Sequence, residues 1–455
     1  MRVGIWCAYG KTLEFTDGIG VFAHLLARHL VGDPRVSGVD LLIHAGDAPL
    51  VAETVAAGGG RIRVVEQARL GVWGRWRRKR ARWQHRRIAD RLAAGSLSHK
   101  QQQRFETELR DIESSVARIL ELQAVSDPYS LSSPHDGGCD IWVLPHVSVE
   151  RRFRSASVVL IHDMVPLREP GLIKPHDLAS FRRRSQAVAE RSTLIGCMSN
   201  VIRDEDIVCL LDCPQEKVRV VRPAVPDDIR RPLSLKKDAD ELQTVHLPVN
   251  VTRPYLLYPA AFRPYKNHEL LIDALSHFDQ QGFPGLQLVF TGDSLLPPSL
   301  EERAVTHGVR DRVHAVGRVD REVLEQLYCH AEATVVPSRH EQGSFPVLEA
   351  LACGCPVAVS DIPSLREAFE HLDKAVPFFN PSSPTALVNA VVTILQDPEG
   401  VRTAQMEGFE RLRQRQWATV ASEWVDVFAE AIDRQNAFAS STPEVCEEHA
   451  GGWHN

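Results

Sequence analysis

Short apolar runs of three to six residues recur along the chain, separated by polar loops and amphipathic stretches. In the first half they fall at 3–8, 40–44, 62–65, 141–144, 157–161 and 193–198, followed by an extended segment at 217–225. In the second half they fall at 255–259, 286–291, 313–316, 334–336 and 356–359. Runs that are apolar throughout at this length predict strands buried on both faces, as in parallel sheets. Helical patterns lie between many of them, at 21–30, 177–191, 320–330, 384–395 and 417–431. Strands alternating with helices predict an α/β protein.

At 455 residues the chain exceeds what one core usually organises, so two domains are expected. The expected division is a first domain over 1–225 and a second over 226–414, joined through the polar, proline-bearing stretch 233–253. A last helix over 415–436 and a small polar tail over 437–455, expected to be disordered, complete the chain.

The richest stretch is 333–368, ATVVPSRHEQGSFPVLEALACGCPVAVSDIPSLREA. Pro346 suits the first turn of a helix and Gly354 its end. The strand–loop–helix–strand order puts the loop at the carboxyl end of a strand, where open α/β sheets bind ligands and a helix N-terminus attracts anions. Glu341 ends that loop, and Glu349, with seven residues between them, is expected in the first helical turn, so both carboxylates face one small cavity. Elsewhere, Gly18 and Gly20 stand between a first strand and a first helix, where glycine permits either close ligand approach or a tight turn. His162-Asp163 ends the 157–161 strand, which favours a ligand role over a histidine satisfied by its neighbour. Asn267 is expected to cap the helix that follows it.

Composition narrows the class. Hydrophobic residues at 44% and charged residues at 25% are ordinary for a globular enzyme, and a net charge of −6 does not mark a nucleic-acid binder. No apolar run approaches the roughly 18 residues of a membrane span. The segment MRVGIWCAYG reads as a strand rather than a signal peptide, and nine scattered cysteines without paired C-x-x-C sets fit a reducing cytoplasm. One span departs from the pattern. Residues 69–122 read as a helical insertion without strands, and from Arg75 to Arg91 they are dense in Arg, with one acidic residue, Asp90, and interleaved Trp76 and Trp83. Such a helix suits an anionic membrane surface, other polyanions, or a solvated insertion whose Trp residues pack on the domain.

The Glu341–Glu349 stretch resembles the donor-site signature of the retaining, GT-B fold glycosyltransferases of family four. The resemblance extends over nearly the whole chain apart from the insertion and tail, through GIGVFAHLLARHL, His162-Asp163, Arg263 and Lys266 within AFRPYKN, and Gly317-Arg318-Val319. It implies two doubly wound Rossmann-like domains facing across a cleft. It implies a nucleotide diphosphate sugar as donor, a GDP- or UDP-sugar, with no other cofactor and no metal. By the same resemblance Glu349 holds the donor ribose, Glu341 and His162 meet the transferred sugar, and Lys266 with Arg263 neutralises the diphosphate. Gly343, Ser344 and Phe345 line sugar and phosphate, Gly18 and Gly20 the cleft beside them, and Arg318 and Val319 the base. Ser344 stands where the family usually has a second glycine, a departure in the donor loop. The implied acceptor is a glycan or a lipid-linked one, in cell-surface polysaccharide or glycolipid assembly, with no nucleic-acid partner. The basic insertion adds a peripheral seat on the inner face of the cell membrane. The other readings are a GT-B epimerase or phosphorylase and a non-catalytic scaffold binding glycan or polyanion.

Overall fold

The apolar runs assemble into two separate parallel sheets. The computed structural model describes residues 1–9, 11–13, 18–67, 107, 137–147, 153–227, 251, 254–292, 295–372 and 374–441. The basic stretch Arg75 to Arg91, most of the linker and the residues from 442 onward lie outside the described residues.

The first sheet contains β1 (Arg2–Trp6), β4 (Gly38–His44), β5 (Ile62–Gln67), β6 (Ile141–Leu144), β7 (Ala156–Leu160), β8 (Leu194–Cys197) and β9 (Val218–Val220). A small hairpin of β2 (Ala8–Tyr9) and β3 (Lys11–Thr12) follows β1. The order is β5-β4-β1-β6-β7-β8-β9, so the winding reverses between β1 and β6. The second sheet contains β10 (Tyr255–Pro259), β11 (Gln287–Thr291), β12 (Val313–Ala315), β13 (Ala333–Val336), β14 (Val357–Ser360) and β15 (Phe378–Phe379). Its order, β12-β11-β10-β13-β14-β15, reverses between β10 and β13. Every residue of β6, β7, β8, β13 and β14 is buried, the physical reason these strands read as unbroken apolar runs.

Helix Trp417–Ser441 packs on the first sheet: Trp417, Trp424 and Phe428 share a core cluster with Phe22 of helix Gly18–Leu30 and with Val158 of β7. A methyl group on Gly196 of β8 would overlap the Trp424 ring, so glycine lets this helix lie close. The helix runs to Ser441 and so takes in the first residues of the stretch expected to be a disordered tail. Its amphipathic face continues past Ala431 through Ile432, which packs on the same core.

The two halves also meet through side chains. Glu367 accepts hydrogen bonds from Asn200 N and Nδ2 (both 2.8 Å) and from Val201 N (2.9 Å), at the start of the π-helix Ile202–Leu210. A second-domain carboxylate thus satisfies the free N–H groups of a first-domain helix. Glu169, on the segment after β7, receives Arg339 Nε at 3.2 Å and His340 Nε2 at 2.9 Å from the loop after β13. Asn267 does not cap its helix; it adopts a left-handed conformation (φ 61°), and its amide donates to the carbonyls of Pro337 (2.9 Å) and Pro381 (2.8 Å).

Candidate functional site

The expected site residues gather at the carboxyl ends of strands beside the two reversals of winding, where this sheet type opens a crevice. From the second sheet, β10 leads into Arg263 and Lys266, and β13 into Glu341 and helix Phe345–Ala352. From the first sheet, β1 leads toward Gly18 and Gly20 at the start of Gly18–Leu30, and β7 into His162. The two sets come together: a Cβ on Gly18 would touch the Phe345 ring at 3.6 Å.

Lys266 and Glu341, expected to serve different parts of a ligand, are in direct contact, with Nζ 2.6 Å from Oε2. Their side chains are 22% and 13% exposed, so water screens the pair little. Burial alone would lower the Lys266 pKa, but the Glu341 carboxylate outweighs it and holds the ammonium protonated above the usual lysine range. Glu341 Oε2 also accepts from Ser338 Oγ at 3.2 Å, and Ser338 pairs with the buried Tyr258 hydroxyl at 2.9 Å. The Ser364 hydroxyl donates to the Glu341 carbonyl. Ser338 just after β13, backed by Tyr258 of β10, and Ser364 at the start of helix Pro363–Ala368 therefore fix both the side chain and the backbone of Glu341.

Glu349 lies in the second turn of helix Phe345–Ala352, one turn later than expected, because the helix begins at Phe345. Pro346 occupies its first turn, and Gly354 ends it in the left-handed region at φ 67°. The fully buried Tyr328 donates its hydroxyl to Glu349 Oε2 at 2.8 Å. Burial, and then the neighbouring carboxylate, push the Tyr328 pKa well above its ordinary value, so it remains a donor.

The donor-like loop itself is open at Gly343, where an added Cβ would meet nothing within 4 Å. Ser344 replaces a family glycine without backbone strain, since its φ of −110° and ψ of 103° are ordinary extended values. Its hydroxyl and the Gln342 Nε2 are buried without a hydrogen-bond partner.

On the facing wall, His162 Nε2 hydrogen-bonds the Pro145 carbonyl at 3.0 Å, which places a proton on Nε2, and its ring packs edge-on against Phe22. Asp163 accepts from Val165 N at 3.2 Å, and the buried Asp206 from Met164 N at 3.0 Å, fixing the turn after His162. Burial raises the Asp206 pKa although Arg168 opposes it at 2.5 Å. Asp163 is near enough to Tyr265, beside Lys266, to contribute to its raised pKa, behind burial and against the opposing pull of Lys266.

Two expected members stand outside this cluster. Arg263 is exposed and donates to the Phe262 carbonyl at 2.9 Å rather than to a carboxylate. Arg318 is exposed at the end of β12, with Val319 packed on the second core. The depression lined by Leu295, Leu296, Pro298 and Ala315 carries the Glu301–Arg310 ion pair and none of the groups described above. Sequence reasoning missed Tyr328, Ser338, Arg339 and Glu169. Of these only Ser338, within the Pro337-Ser338 pair framing the motif, carried a signal. Among the described residues there is no cluster of three His, Cys, Asp or Glu side chains able to hold a metal, and no helix long and apolar enough to cross a membrane.

Residues 240–410 match the family model described as Glycosyl transferases group 1. The D-inositol 3-phosphate glycosyltransferase of Xylanimonas cellulosilytica is 29% identical over 288 residues, 61% of this chain and 67% of that protein. Sucrose-phosphate synthase from Thermosynechococcus elongatus superposes with a TM-score of 0.63 at 17% identity, over 97% of this chain and 100% of that one. HepE of Anabaena, solved in complex with UDP-glucose, gives a TM-score of 0.60 at 15% identity, over 94% of this chain and 100% of its own. The match to the glycosyl transferases group 1 model thus covers the second domain, a glycosyltransferase relative aligns over most of the chain, and the protein has the GT-B fold over nearly its whole length.

Proposed function

We propose that the protein transfers a sugar, with retention at the anomeric carbon and without a metal, from a nucleotide diphosphate sugar to an acceptor hydroxyl. The observation that carries this is the Lys266–Glu341 pair at the β10–β13 reversal, with Glu349 on the following helix. Lys266, protonated at neutral pH, stabilises the departing diphosphate, aided by Arg263 and the N-terminus of helix Phe345–Ala352. The bond from the anomeric carbon to the phosphate oxygen breaks, and its electron pair stays on that oxygen. The acceptor oxygen bonds to the carbon from the same face and gives its proton to the departing oxygen. Glu341 and His162 position the sugar and screen its developing positive charge, and Glu349 anchors the ribose. Gly343 and Ser344 lie along sugar and phosphate, Gly18, Gly20 and Phe345 close the cleft, and Arg318 and Val319 meet the base. UDP- and GDP-sugars are the donors of choice; the UDP-glucose held by HepE favours the first. The acceptor is a glycan or lipid-linked glycan at the cytoplasmic membrane face, where the basic stretch Arg75 to Arg91 binds anionic lipid.

The test is to incubate the protein with UDP-glucose, GDP-mannose and ADP-glucose in the presence of EDTA. Proton NMR then follows the first sugar released to water or acceptor. Release with the donor's own anomeric configuration, lost in Glu341→Ala, is the expected result. Inversion, a changed sugar still attached to nucleotide, or strict dependence on inorganic phosphate would replace the proposal with another GT-B chemistry. Co-flotation with phosphatidylserine vesicles, abolished by replacing the arginines between Arg75 and Arg91 with Gln, tests the membrane seat.

A further inference from the structure

Arg339 sits two residues before Glu341 and makes contacts that no surface arginine needs. Its backbone N–H donates to the Tyr265 carbonyl at 2.8 Å and its Nη2 to the Pro264 carbonyl at 2.8 Å. Its Nη1 reaches Asn267 Oδ1 at 3.2 Å and Glu269 Oε1 at 3.1 Å. These partners bracket Lys266, so one guanidinium clasps the turn that presents the ammonium to Glu341. The remaining edge, Nε, faces the other domain and meets Glu169 at 3.2 Å, where His340 also binds. Glu169 is itself well placed, because its neighbour Arg168 is tied to Asp206 at 2.5 Å and Glu205 at 2.8 Å on the π-helix. The same Asp206 holds the turn after His162 through Met164 N. Hydrogen bonds joined by the adjoining backbone at Arg168-Glu169 and around Lys266 thus run from the His162 turn, across the cleft, to the Lys266–Glu341 pair.

We infer that Arg339 is a positioning residue for sugar transfer, and that Glu169 engages it from the first domain to set the Lys266–Glu341 pair when the two halves of the cleft are together. A planar fork with fixed donor directions suits this task, and a lysine could not bridge the same partners. The inference rests on the proposed transfer reaction at Lys266 and Glu341. It adds that the first domain contributes to catalysis through Glu169 as well as through contacts to substrate.

The experiment uses the full-length protein and follows nucleotide release from UDP-glucose, GDP-mannose and ADP-glucose. It compares the unaltered chain with Arg339→Lys, Glu169→Gln, their combination and Lys266→Ala, with melting temperature and calorimetric binding of UDP and GDP measured on each. Arg339→Lys and Glu169→Gln are each expected to lower kcat about 10- to 100-fold, while KM and nucleotide affinity stay within about threefold. The double variant is expected to lose little more than either single one, because both changes break the same link. Additive losses, a loss confined to KM, or a fall in kcat that simply follows melting temperature would overturn the positioning role. Turnover kept in both variants but abolished in Lys266→Ala overturns this inference alone. Absence of turnover in the unaltered chain overturns the transfer reading and the inference with it.

Discussion

Tyr328 and Glu349 illustrate how a buried neutral group can hold an exposed task in place. The tyrosine hydroxyl, 2.8 Å from Glu349 Oε2, is locked by burial and fixes the carboxylate's rotamer. Tyr328→Phe is therefore expected to weaken nucleotide binding about tenfold, equal to about 1.4 kcal/mol, with the fold retained. Unchanged affinity by calorimetry would show that Glu349 needs no such support. Lys266 makes the second residue-scale prediction. Its pKa is raised in the folded protein, so the stabilisation it gains from Glu341 is complete below the ordinary lysine value of 10.5 and is lost only as pH climbs above that. The gap in unfolding free energy between the unaltered chain and Lys266→Met, measured by denaturant unfolding, should accordingly stay flat from about pH 7 to 9, at about 1–3 kcal/mol for removing one partner of a largely buried pair. A gap that closes within this range would contradict the protonated pair. Glu341, Glu349 and Lys266 were legible in the sequence through the Glu–seven residues–Glu and AFRPYKN segments that resemble the family's donor motifs, while the direct Lys266–Glu341 contact is seen only in the fold. Tyr328 was not, since an aromatic on the apolar side of a helix looks like any core residue. Arg339 and Glu169 read as surface charges until the fold brings positions 170 apart in sequence into contact.

At the scale of elements, the parallel strands were legible because burial on both faces forces unbroken apolar runs. The π-helix Ile202–Leu210 was not, because its wider turn disrupts the helical period and it follows directly on Ser199-Asn200 at the end of a strand reading. Its N-terminus is completed from outside by Glu367, which a local sequence reading has no means of finding. The side chain of Glu367 is 12% exposed and also pairs with Arg222 at 3.2 Å. Glu367→Gln keeps an acceptor but removes the charge facing the helix end, and should cost about 1 kcal/mol in denaturant unfolding. A variant as stable as the parent would mean that solvent satisfies these N–H groups equally well. The last helix packs on the first core and runs past its expected end at 436, because small and polar residues after Ala431 hide the continuing turns.

The whole molecule joins a first domain that supplies Gly18, Gly20 and His162 to a second that supplies the lysine and both glutamates, with the last helix returning to the first sheet. Two α/β units were predictable from length and from the repeated strand–helix alternation, and the cleft between them was implied by the family resemblance. The ion-pair links that join the two walls were not, because each partner looks ordinary alone. The claim on which everything else depends is that this cleft binds a nucleotide diphosphate sugar through Glu349 and Lys266. The most direct measurement is a thermal-shift comparison of the unaltered chain and Glu349→Ala against UDP, GDP, ADP and their sugars, each with EDTA and then with Mg²⁺. At 100 times its dissociation constant a true ligand adds about 2.7 kcal/mol of stability. The expected result is a shift with one nucleotide series, the same with and without metal, and lost in Glu349→Ala. No shift with any nucleotide, or a shift that ignores Glu349→Ala, would contradict the donor site described above.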